Sequence, residues 1–324
     1  MRLESLPVLI LNPHSRCNCR CTMCDIWKTT DARELSVQDL ERQIESVDRL
    51  QVRWVVLSGG EPLMHSDLWR LMDLLRERQV RITLLSSGLL LGRHAESLVR
   101  SVDDVIVSLD GPREVHNSIR GVPGAFEAIA EGIRRIREHD PKFNISARST
   151  VQRSNFRHLR DTVDAAHGLF LTSISFLAAD VESSAFSRPS GWPMEKKAAI
   201  SLCSAEIAVL ESEIEALIAR GDCGRYVCES PEKLRRIARH FRAVLGETPP
   251  EAPVCNAPWN SAVVEADGTV RPCFFHRPIG HLGSGKPLDQ IVNSPEAVDF
   301  RSSLDVATNP ICQKCVCSLN WRRS

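Results

Sequence analysis

The sequence predicts an α/β protein built on a parallel sheet and followed by a small cysteine-rich domain. Six short apolar runs have the length and composition of buried strands, and segments with apolar residues at helical spacing separate them. Strands that alternate with helices along a chain form parallel sheets through right-handed crossovers. The predicted strands are Pro7–Leu11, Arg53–Leu57, Arg81–Leu85, Val105–Gly111, Asn144–Val151 and Ser173–Leu177.

Capping residues mark where several helices begin. Ser36, Ser66, Asn155 and Ser230 each precede a segment with helical periodicity, and their short polar side chains can accept a hydrogen bond from the first turn. Ser230 is followed by proline, which suits the first helical position. Gly221 is expected to end the helix before it, because glycine adopts the left-handed conformation of a helix terminus without strain.

Composition narrows the class of protein. The chain has 324 residues, 43% of them hydrophobic, which is enough for a sizeable core. Its formal net charge is zero, which argues against a nucleic-acid partner, since such binding depends on a positive field over the phosphates. No signal peptide or membrane-spanning run is visible. Twelve clustered cysteines therefore predict metal binding in a reducing, cytoplasmic environment, without a membrane partner.

The cysteines after the first strand have a spacing that suits an iron–sulfur cluster. Cys17, Cys21 and Cys24 form a C-x3-C-x2-C pattern. Three thiolates on one tight loop can hold three irons of a cubane and leave the fourth iron open to another ligand. A zinc site is the alternative, with His14 as a nearby fourth ligand. Cys19 lies between these positions, and we expect it to hold no metal.

A second motif follows the second strand, and the two together resemble a known family. Ser58-Gly59-Gly60-Glu61-Pro62 comes directly after the apolar run that ends at Leu57. A cysteine triad after the first strand and a Gly-Gly-Glu-Pro turn after the second resemble the radical S-adenosylmethionine (SAM) superfamily. The resemblance implies an open, partial (β/α)6 TIM-like barrel. In such barrels the chemistry lies at the carboxyl ends of the strands.

The resemblance also implies a mechanism and a set of cofactor contacts. A [4Fe–4S] cluster on the triad binds SAM, and an electron from a donor such as flavodoxin or ferredoxin cleaves SAM to methionine and a 5′-deoxyadenosyl radical. That radical removes a hydrogen atom from the substrate. Gly59 and Gly60 would let the backbone approach SAM, Glu61 would accept from its ammonium group, and Met23 would pack on adenine. The expected SAM-binding residues are Met23, Gly59, Gly60, Glu61, Pro62, Ser87, Ser108 and Arg148.

A proline-rich stretch, Thr248–Pro253, leads into the cysteine-rich tail. There Cys255, Gly268 and Cys273 have the spacing C-x12-G-x4-C, and Ala266-Asp267-Gly268 predicts a hairpin turn. With a C-x2-C pair further on, the tail resembles the auxiliary-cluster domains of the same superfamily, called SPASM when seven cysteines hold two clusters and twitch when four hold one. The twitch set, with one auxiliary [4Fe–4S] cluster, would be Cys255, Cys273, Cys312 and Cys315, with Cys317 spare. Cys317 in place of Cys315 and a structural zinc ribbon are the alternatives.

These signals divide the chain into a core over residues 1–180, a helical insertion over 181–250 and an auxiliary domain over 251–324. Asp180 and Glu182 open a polar loop that runs to Pro193 and are candidate catalytic residues; ordinary solvated loop acids are the alternative. The chain starts almost directly at the first strand, so we expect no leader-binding domain before the barrel.

The function that these features imply is oxidation of a small molecule or a peptide side chain, assisted by the auxiliary cluster. Cross-linking or epimerisation of a peptide is an alternative within the superfamily. A non-catalytic iron–sulfur or zinc protein that carries electrons or acts as a scaffold is the alternative from another class. The sequence leaves the identity of the substrate open.

Overall fold

The computed structural model describes residues 1–188 and 191–322. Within them, one sheet of nine strands runs in the order β6-β5-β4-β3-β2-β1-β7-β8-β9, and neighbours from β6 to β7 are parallel. The strands are β1 Val8–His14, β2 Trp54–Gly59, β3 Arg81–Ser86, β4 Asp104–Ser108, β5 Asn144–Val151, β6 Ile174–Ala178, β7 Ser261–Val264, β8 Thr269–Arg271 and β9 Gly280–His281.

The six predicted strands are confirmed as β1 to β6, and they form the predicted partial (β/α)6 unit. Among the described residues β6 lies at the sheet edge and does not pair with β1, so the barrel is open. The first strand extends three residues beyond the predicted end at Leu11, to His14. Its register with β2 shifts between Leu11 and His14. Such an irregularity bends the strand and changes the direction of the chain just before the cysteine loop.

Helices separate the strands and cover the sheet. The α-helices are α1 Val37–Glu41, α2 Ile44–Arg49, α3 Leu68–Arg76, α4 Ala95–Ser101, α5 Arg113–Arg120, α6 Ala125–His139, α7 Leu159–Gly168, α8 Met194–Ile200, α9 Ser204–Ala219, α10 Pro231–Val244, α11 Ala257–Asn260, α12 Leu288–Ile291, α13 Pro295–Ser303 and α14 Pro310–Gln313. Short 3-10 helices span Ile26–Lys28, Pro62–Met64, Gly92–His94 and Leu282–Ser284. Aliphatic side chains of the strands and of α3, among them Leu57, Ile82, Leu71 and Met72, pack in one core.

Two of the four predicted N-caps are confirmed. Ser36 accepts from the backbone of Asp39, and Ser230 accepts from the backbone of Lys233. Gly221, with φ at +81°, follows the end of α9 as predicted. The helix predicted after Ser36 is divided into α1 and α2.

The other two predicted caps are wrong, because each side chain has a stronger partner elsewhere. The hydroxyl of Ser66 donates to the carboxylate of Glu34 at 2.5 Å. Asn155 accepts from the backbone of Gln152 at 2.8 Å and donates to the carbonyl of Asp110 at 2.9 Å. Both residues therefore tie loops together and do not begin helices.

The hairpin of the cysteine-rich tail is confirmed, and it also continues the main sheet. β7 and β8 are antiparallel around Asp267 and Gly268, where φ of the glycine is +89°. β7 pairs in parallel with β1, with Val8 opposite Ser261 and Leu11 opposite Val264. The strand that leads into the first cysteine loop is thus covered on both sides, and its backbone presents no open edge.

The loop after β6 folds back towards the first cysteine loop. The indole of Trp192 donates to Asp25, the residue that follows Cys24, at 2.6 Å. The predicted polar loop includes Pro189 and Ser190, which lie outside the described residues. In the part of the chain that is described, no helix is long and apolar enough to cross a membrane.

Candidate functional site

The first cysteine loop lies at the carboxyl end of β1 and is held by the carboxyl end of α5. The backbone N–H of Arg20 donates to the carbonyl of Arg120 at 2.9 Å, and the N–H of Thr22 donates to the carbonyl of Ile119 at 3.0 Å. These two bonds flank Cys21 on either side. The orphan carbonyls at a helix end need partners, and here the cysteine loop supplies them.

Arg120 also contacts the middle cysteine through its side chain. Its guanidinium donates to Sγ of Cys21 at 3.5 Å and pairs with the carboxylate of Asp110 at 2.5 Å. Both charged side chains are buried. Burial disfavours the charged guanidinium, but Asp110 and the Cys21 thiol hold the pKa of Arg120 above its ordinary value.

The thiols of the loop lie close enough to affect one another. The Cys19 thiol hydrogen-bonds to Cys17 and to Cys21, and together with the charge of Arg120 this lowers the pKa of Cys21 to about 6, against the effect of burial. Burial raises the pKa of Cys24 to about 12, and its sulfur accepts from the backbone of Ile26 at 3.4 Å. Donors to sulfur stabilise thiolates and metal-bound sulfur alike.

No group of three or more His, Cys, Asp or Glu side chains that could hold a metal ion occurs in the described parts of the chain. A cubane differs from a single ion in its demands, since each thiolate ligand binds a different iron. The loop offers three thiols as ligands. Two of them, Cys21 and Cys24, accept hydrogen bonds from N–H groups, and this set is chemically suited to such a cluster.

Glu61 is turned inwards and ties the ends of two strands together. Its carboxylate is fully buried and accepts from the backbone of Ser87 at 2.7 Å, from the hydroxyl of Ser86 at 3.0 Å and from the backbone of Leu63 at 3.1 Å. Burial raises the pKa of Glu61, and the hydrogen bonds oppose that shift. The role expected for this side chain, accepting from an ammonium group, stays a prediction. In the structure its acceptors are occupied by the chain itself.

The two glycines before Glu61 permit close packing against the first loop. A Cβ on Gly60 would lie 2.0 Å from the carbonyl oxygen of Arg16, and a Cβ on Gly59 would lie 2.7 Å from Cβ of Asn12. The backbone N–H of Glu61 donates to the same Arg16 carbonyl at 2.8 Å. The small size of both glycines makes room for the cysteine loop. Close approach of their backbone to SAM, as the resemblance implies, stays a prediction.

The remaining expected SAM contacts lie around the same strand ends. Ser87 is buried, and its hydroxyl donates to Asn18, next to Cys17, at 2.9 Å. Ser108 ends β4 opposite Arg148 on β5, and the guanidinium of Arg148 donates to the hydroxyl of Ser175 at 3.3 Å. Pro62 is buried at the first position of a short 3-10 helix. Met23 packs against a small apolar cluster formed by Ala179, Val181, Trp192 and Ile200.

The two candidate catalytic acids both have protein partners. Asp180 is buried, forms an ion pair with Arg188 at 2.5 Å, and accepts from the backbone of Glu182 and Ser183 at 3.1 Å. Glu182 pairs with Lys314 of the cysteine-rich tail at 3.1 Å. Asp180 thus organises its own loop, and Glu182 links that loop to the tail.

The tail brings its cysteines together as a second group. Negative charge on Cys255 and Cys273 raises the pKa of both Cys312 and Cys315. Burial is the main cause, and together these effects raise the pKa of Cys312 to about 11. The buried ring of His276 lies 3.4 Å from Sγ of Cys312. The Cys315 thiol donates to the backbone carbonyl of Cys317 at 2.6 Å.

The Cys317 thiol also lies within reach of this group. Burial is the main cause that raises its pKa to about 11, and the charges of Cys255 and Cys273 act in the same direction. The ligand set Cys255, Cys273, Cys312 and Cys315, with Cys317 spare, stays a prediction.

Sequence reasoning missed the contribution of Arg120. A signal was present, because Arg120 follows His116 by four residues on the buried face of α5, where an apolar residue is the ordinary choice. An arginine on a core-facing position requires a buried partner. Asp110, near the end of the predicted strand Val105–Gly111, was the available carboxylate.

Two family models match this chain. Residues 11–166 match the radical SAM superfamily, and residues 255–316 match SPASM, an iron–sulfur cluster-binding domain. Together they include both groups of cysteines described above, apart from Cys317.

Curated relatives match about half of the chain or less. A protein of Methanosarcina barkeri named Fe-coproporphyrin III synthase is 31% identical over 160 residues, which is 48% of this chain and 40% of the relative. The mycofactocin maturase MftC of Mycolicibacterium smegmatis is 32% identical over 124 residues, which is 37% of this chain and 31% of the relative. The chain therefore spans well under half the length of these relatives.

Solved structures share the fold over nearly the whole chain. Streptococcus suis SuiB, bound to its precursor peptide SuiA, superposes with a TM-score of 0.70 at 14% identity. The match covers 98% of this chain and 72% of SuiB. At that identity the likeness establishes the fold alone.

Replacing Gly60 with alanine tests the packing of the turn against the cysteine loop. The added Cβ meets a backbone carbonyl that cannot move without displacing the loop, so Gly60→Ala should lower the free energy of unfolding by about 1–3 kcal/mol, as overpacking does. Chemical denaturation followed by circular dichroism measures the change.

Gly168→Ala is the matched control, because a Cβ there meets open space within a helix. That variant should be neutral or more stable, since alanine is the better helix former. Equal stability of Gly60→Ala and the wild type would contradict the packing argument.

Proposed function

We propose that this chain, a member of the radical SAM superfamily with a SPASM domain behind its radical SAM domain, oxidises a peptide or small-molecule substrate by hydrogen-atom abstraction. The two domains imply SAM and [4Fe–4S] clusters as cofactors. When bound, these groups supply a 5′-deoxyadenosyl radical through reductive cleavage of SAM, while the protein binds, orients and excludes water. A reducing electron donor such as flavodoxin or ferredoxin is part of the proposal.

The residues proposed to hold the SAM-binding cluster are Cys17, Cys21 and Cys24. The observation that carries the proposal is the anchoring of their loop at the carboxyl end of β1, with a buried guanidinium 3.5 Å from the sulfur of Cys21. Barrel enzymes use this end of the strands for chemistry. A cation beside the middle thiol favours its deprotonated form, which is the form that binds iron.

The residues proposed to hold one auxiliary cluster are Cys255, Cys273, Cys312 and Cys315. The match to an iron–sulfur cluster-binding domain over residues 255–316 supports the cluster over a zinc ribbon. Four thiolates leave no open iron, so this site would accept an electron and would not bind substrate. We propose Cys317 as a neighbour of the site and not a ligand.

The turn after β2 is proposed to present SAM to the first site. Glu61 contributes by holding the ends of β2 and β3 together, since its carboxylate accepts from the backbone of Leu63 and Ser87 and from the hydroxyl of Ser86. Ser87 and Asn18 link this turn to the cysteine loop. We propose direct contacts to SAM from the eight residues expected from the sequence: Met23, Gly59, Gly60, Glu61, Pro62, Ser87, Ser108 and Arg148.

The comparisons support a peptide or a small molecule as the substrate, and the proposal includes both. One relative is named as the maturase of mycofactocin, and a structure with the same fold was solved with its precursor peptide bound. Peptide cross-linking or epimerisation is therefore the second candidate function beside side-chain oxidation. A small-molecule substrate remains within the proposal, because another relative is named for the synthesis of Fe-coproporphyrin III.

Iron content tests the ligand assignment. Purified without oxygen, the protein should carry about eight irons per chain, enough for two cubanes. Replacing Cys17, Cys21 and Cys24 together with alanine should remove about half of that iron, because the auxiliary ligands remain. Colorimetric iron analysis with atomic absorption for zinc measures both metals.

Cys203→Ala is the matched control, because Cys203 is exposed and far along the chain from both cysteine groups. It should retain the full iron content. Undiminished iron in the triple variant would show that the first loop holds no cluster, and zinc in the wild-type tail would refute the auxiliary cluster.

Arg120 should set the reduction potential of the first cluster. Hydrogen bonds and positive charge at a ligand sulfur withdraw electron density and favour the reduced state. Arg120→Gln should therefore lower the midpoint potential. Asp110→Asn should raise it, because the guanidinium then keeps its charge without a counter-charge. Redox titration followed by electron paramagnetic resonance measures both shifts.

Arg113→Gln is the control on the same helix, since Arg113 is exposed and pairs with Glu127. It should leave the potential unchanged. Shifts of the same sign in the Arg120 and Asp110 variants would indicate general disruption of the loop and would contradict an electrostatic role.

A further inference from the structure

Three surface segments meet at the first cysteine loop and include part of it. They are residues 16–28, 152–157 and 192–200. The hydroxyl of Thr22 donates to the side-chain carbonyl of Gln152 at 2.9 Å, and the backbone N–H of Arg153 donates to the carbonyl of Ile200 at 2.9 Å. The indole in the third segment donates to Asp25 in the first at 2.6 Å. Each segment therefore contacts the other two, and together they form one surface, which we call the loop face.

The loop face carries an excess of positive charge. Its three segments contain seven arginines and lysines against two acids, whereas the whole chain has 41 residues of each kind. Lys28 pairs with Asp25, and Arg153 pairs with Glu206. The other five cations form no ion pair with a carboxylate of the described residues; they are Arg16, Arg20, Arg157, Lys196 and Lys197. Uncompensated charge of one sign on one surface attracts molecules of the opposite charge.

Two large apolar side chains are exposed on the same face. Trp27 is 36% exposed and Met194 is 78% exposed. Tryptophan, methionine and arginine are all enriched where proteins contact one another. Trp27 lies three residues after Cys24, whose sulfur accepts from the backbone N–H of Ile26. A protein bound to the loop face would thus lie beside a sulfur of the first cysteine group.

We propose that the loop face docks a small acidic protein that carries single electrons. The proposal rests on the proposed function, which requires an electron at the first cluster. In the step that this contact serves, one electron leaves the carrier for the cluster held by the loop, and no bond forms or breaks. Electron-transfer contacts are small, and charge complementarity speeds their formation. The position next to Cys24 favours such a carrier over a nucleic acid as the partner of these cations.

The test measures binding of oxidised flavodoxin, an acidic carrier, to the full chain purified without oxygen. Isothermal titration calorimetry at low and at moderate salt gives the affinity. The wild type should bind flavodoxin, and its affinity should fall by about tenfold as salt screens the exposed charges. The double variant Arg157→Glu/Lys197→Glu should bind at least about tenfold more weakly than the wild type at low salt, because like charges then face each other.

The double variant Arg53→Glu/Lys142→Glu is the matched control, because it changes the net charge by the same amount. Both residues are exposed, and they precede β2 and β5, so they lie at the opposite ends of the strands from the loop face. This control should keep the affinity of the wild type for flavodoxin.

A second readout is the rate at which the cluster is reduced, followed by stopped-flow absorbance. The variant Arg157→Glu/Lys197→Glu should be reduced more slowly than the wild type by reduced flavodoxin. Dithionite should reduce both proteins at the same rate, because a small reductant needs no docking surface. A loss of rate with both reductants would indicate damage to the cysteine loop and would contradict a docking role.

Equal affinity of the wild type and the loop-face variant for flavodoxin, or no binding to the wild type at low salt, would overturn the proposal. Tighter binding of a single-stranded oligonucleotide than of flavodoxin would also overturn it, in favour of a nucleic-acid site. Failure of the proposed function has a separate sign, since a wild type that dithionite reduces without release of 5′-deoxyadenosine would refute SAM cleavage. The binding of oxidised flavodoxin needs no electron transfer and still decides whether the loop face is a docking surface.

Discussion

The buried ion pair between Arg120 and Asp110 is the interaction on which the arrangement of the first site depends. Asp110 accepts from the backbone of Thr150 on β5 at 2.8 Å, and Asn155 donates to the Asp110 carbonyl. Arg120 holds the cysteine loop through its backbone carbonyl and through Cys21. The pair therefore joins β4, β5, α5 and the loop. Removing one partner of a buried pair typically costs about 3–5 kcal/mol, because the other charge is left uncompensated.

The opposite side of the loop is fixed by backbone packing and not by charge. The turn at Gly60 fits under the Arg16 carbonyl, and Glu61 accepts hydrogen bonds from the end of β3. The loop is thus held between a polar anchor on α5 and a steric anchor on the turn after β2. Three thiols on a loop this short keep their mutual spacing only if the backbone is fixed at both ends, which is the preorganisation that a cofactor site requires.

The sequence predicted the architecture well where the signal was local. Strand positions follow from apolar runs, the hairpin follows from Asp267-Gly268, and the cap at Ser230 follows from its own hydroxyl. It failed where a side chain had a distant partner. Ser66 and Asn155 bind Glu34 and Asp110 instead of helix ends.

The same limit applies to the candidate site. The motif residues and both cysteine groups were identified from spacing, but the pairing of β7 with β1 joins segments about 250 residues apart in sequence, and no local pattern encodes it. Asp110 precedes α5 and Arg120 is its last residue, and no local pattern pairs the two. The individual role of each SAM-contact residue stays a prediction.

The most direct measurement of the central claim is the release of 5′-deoxyadenosine. The protein, reduced with dithionite under anaerobic conditions, is incubated with SAM, and the products are quantified by liquid chromatography with mass spectrometry. The wild type should release 5′-deoxyadenosine and methionine, and a Cys21→Ala variant should release none above background. Equal release from both proteins, or none from a wild type that carries its full iron content, would contradict the claim that this cysteine loop holds the SAM-cleaving cluster.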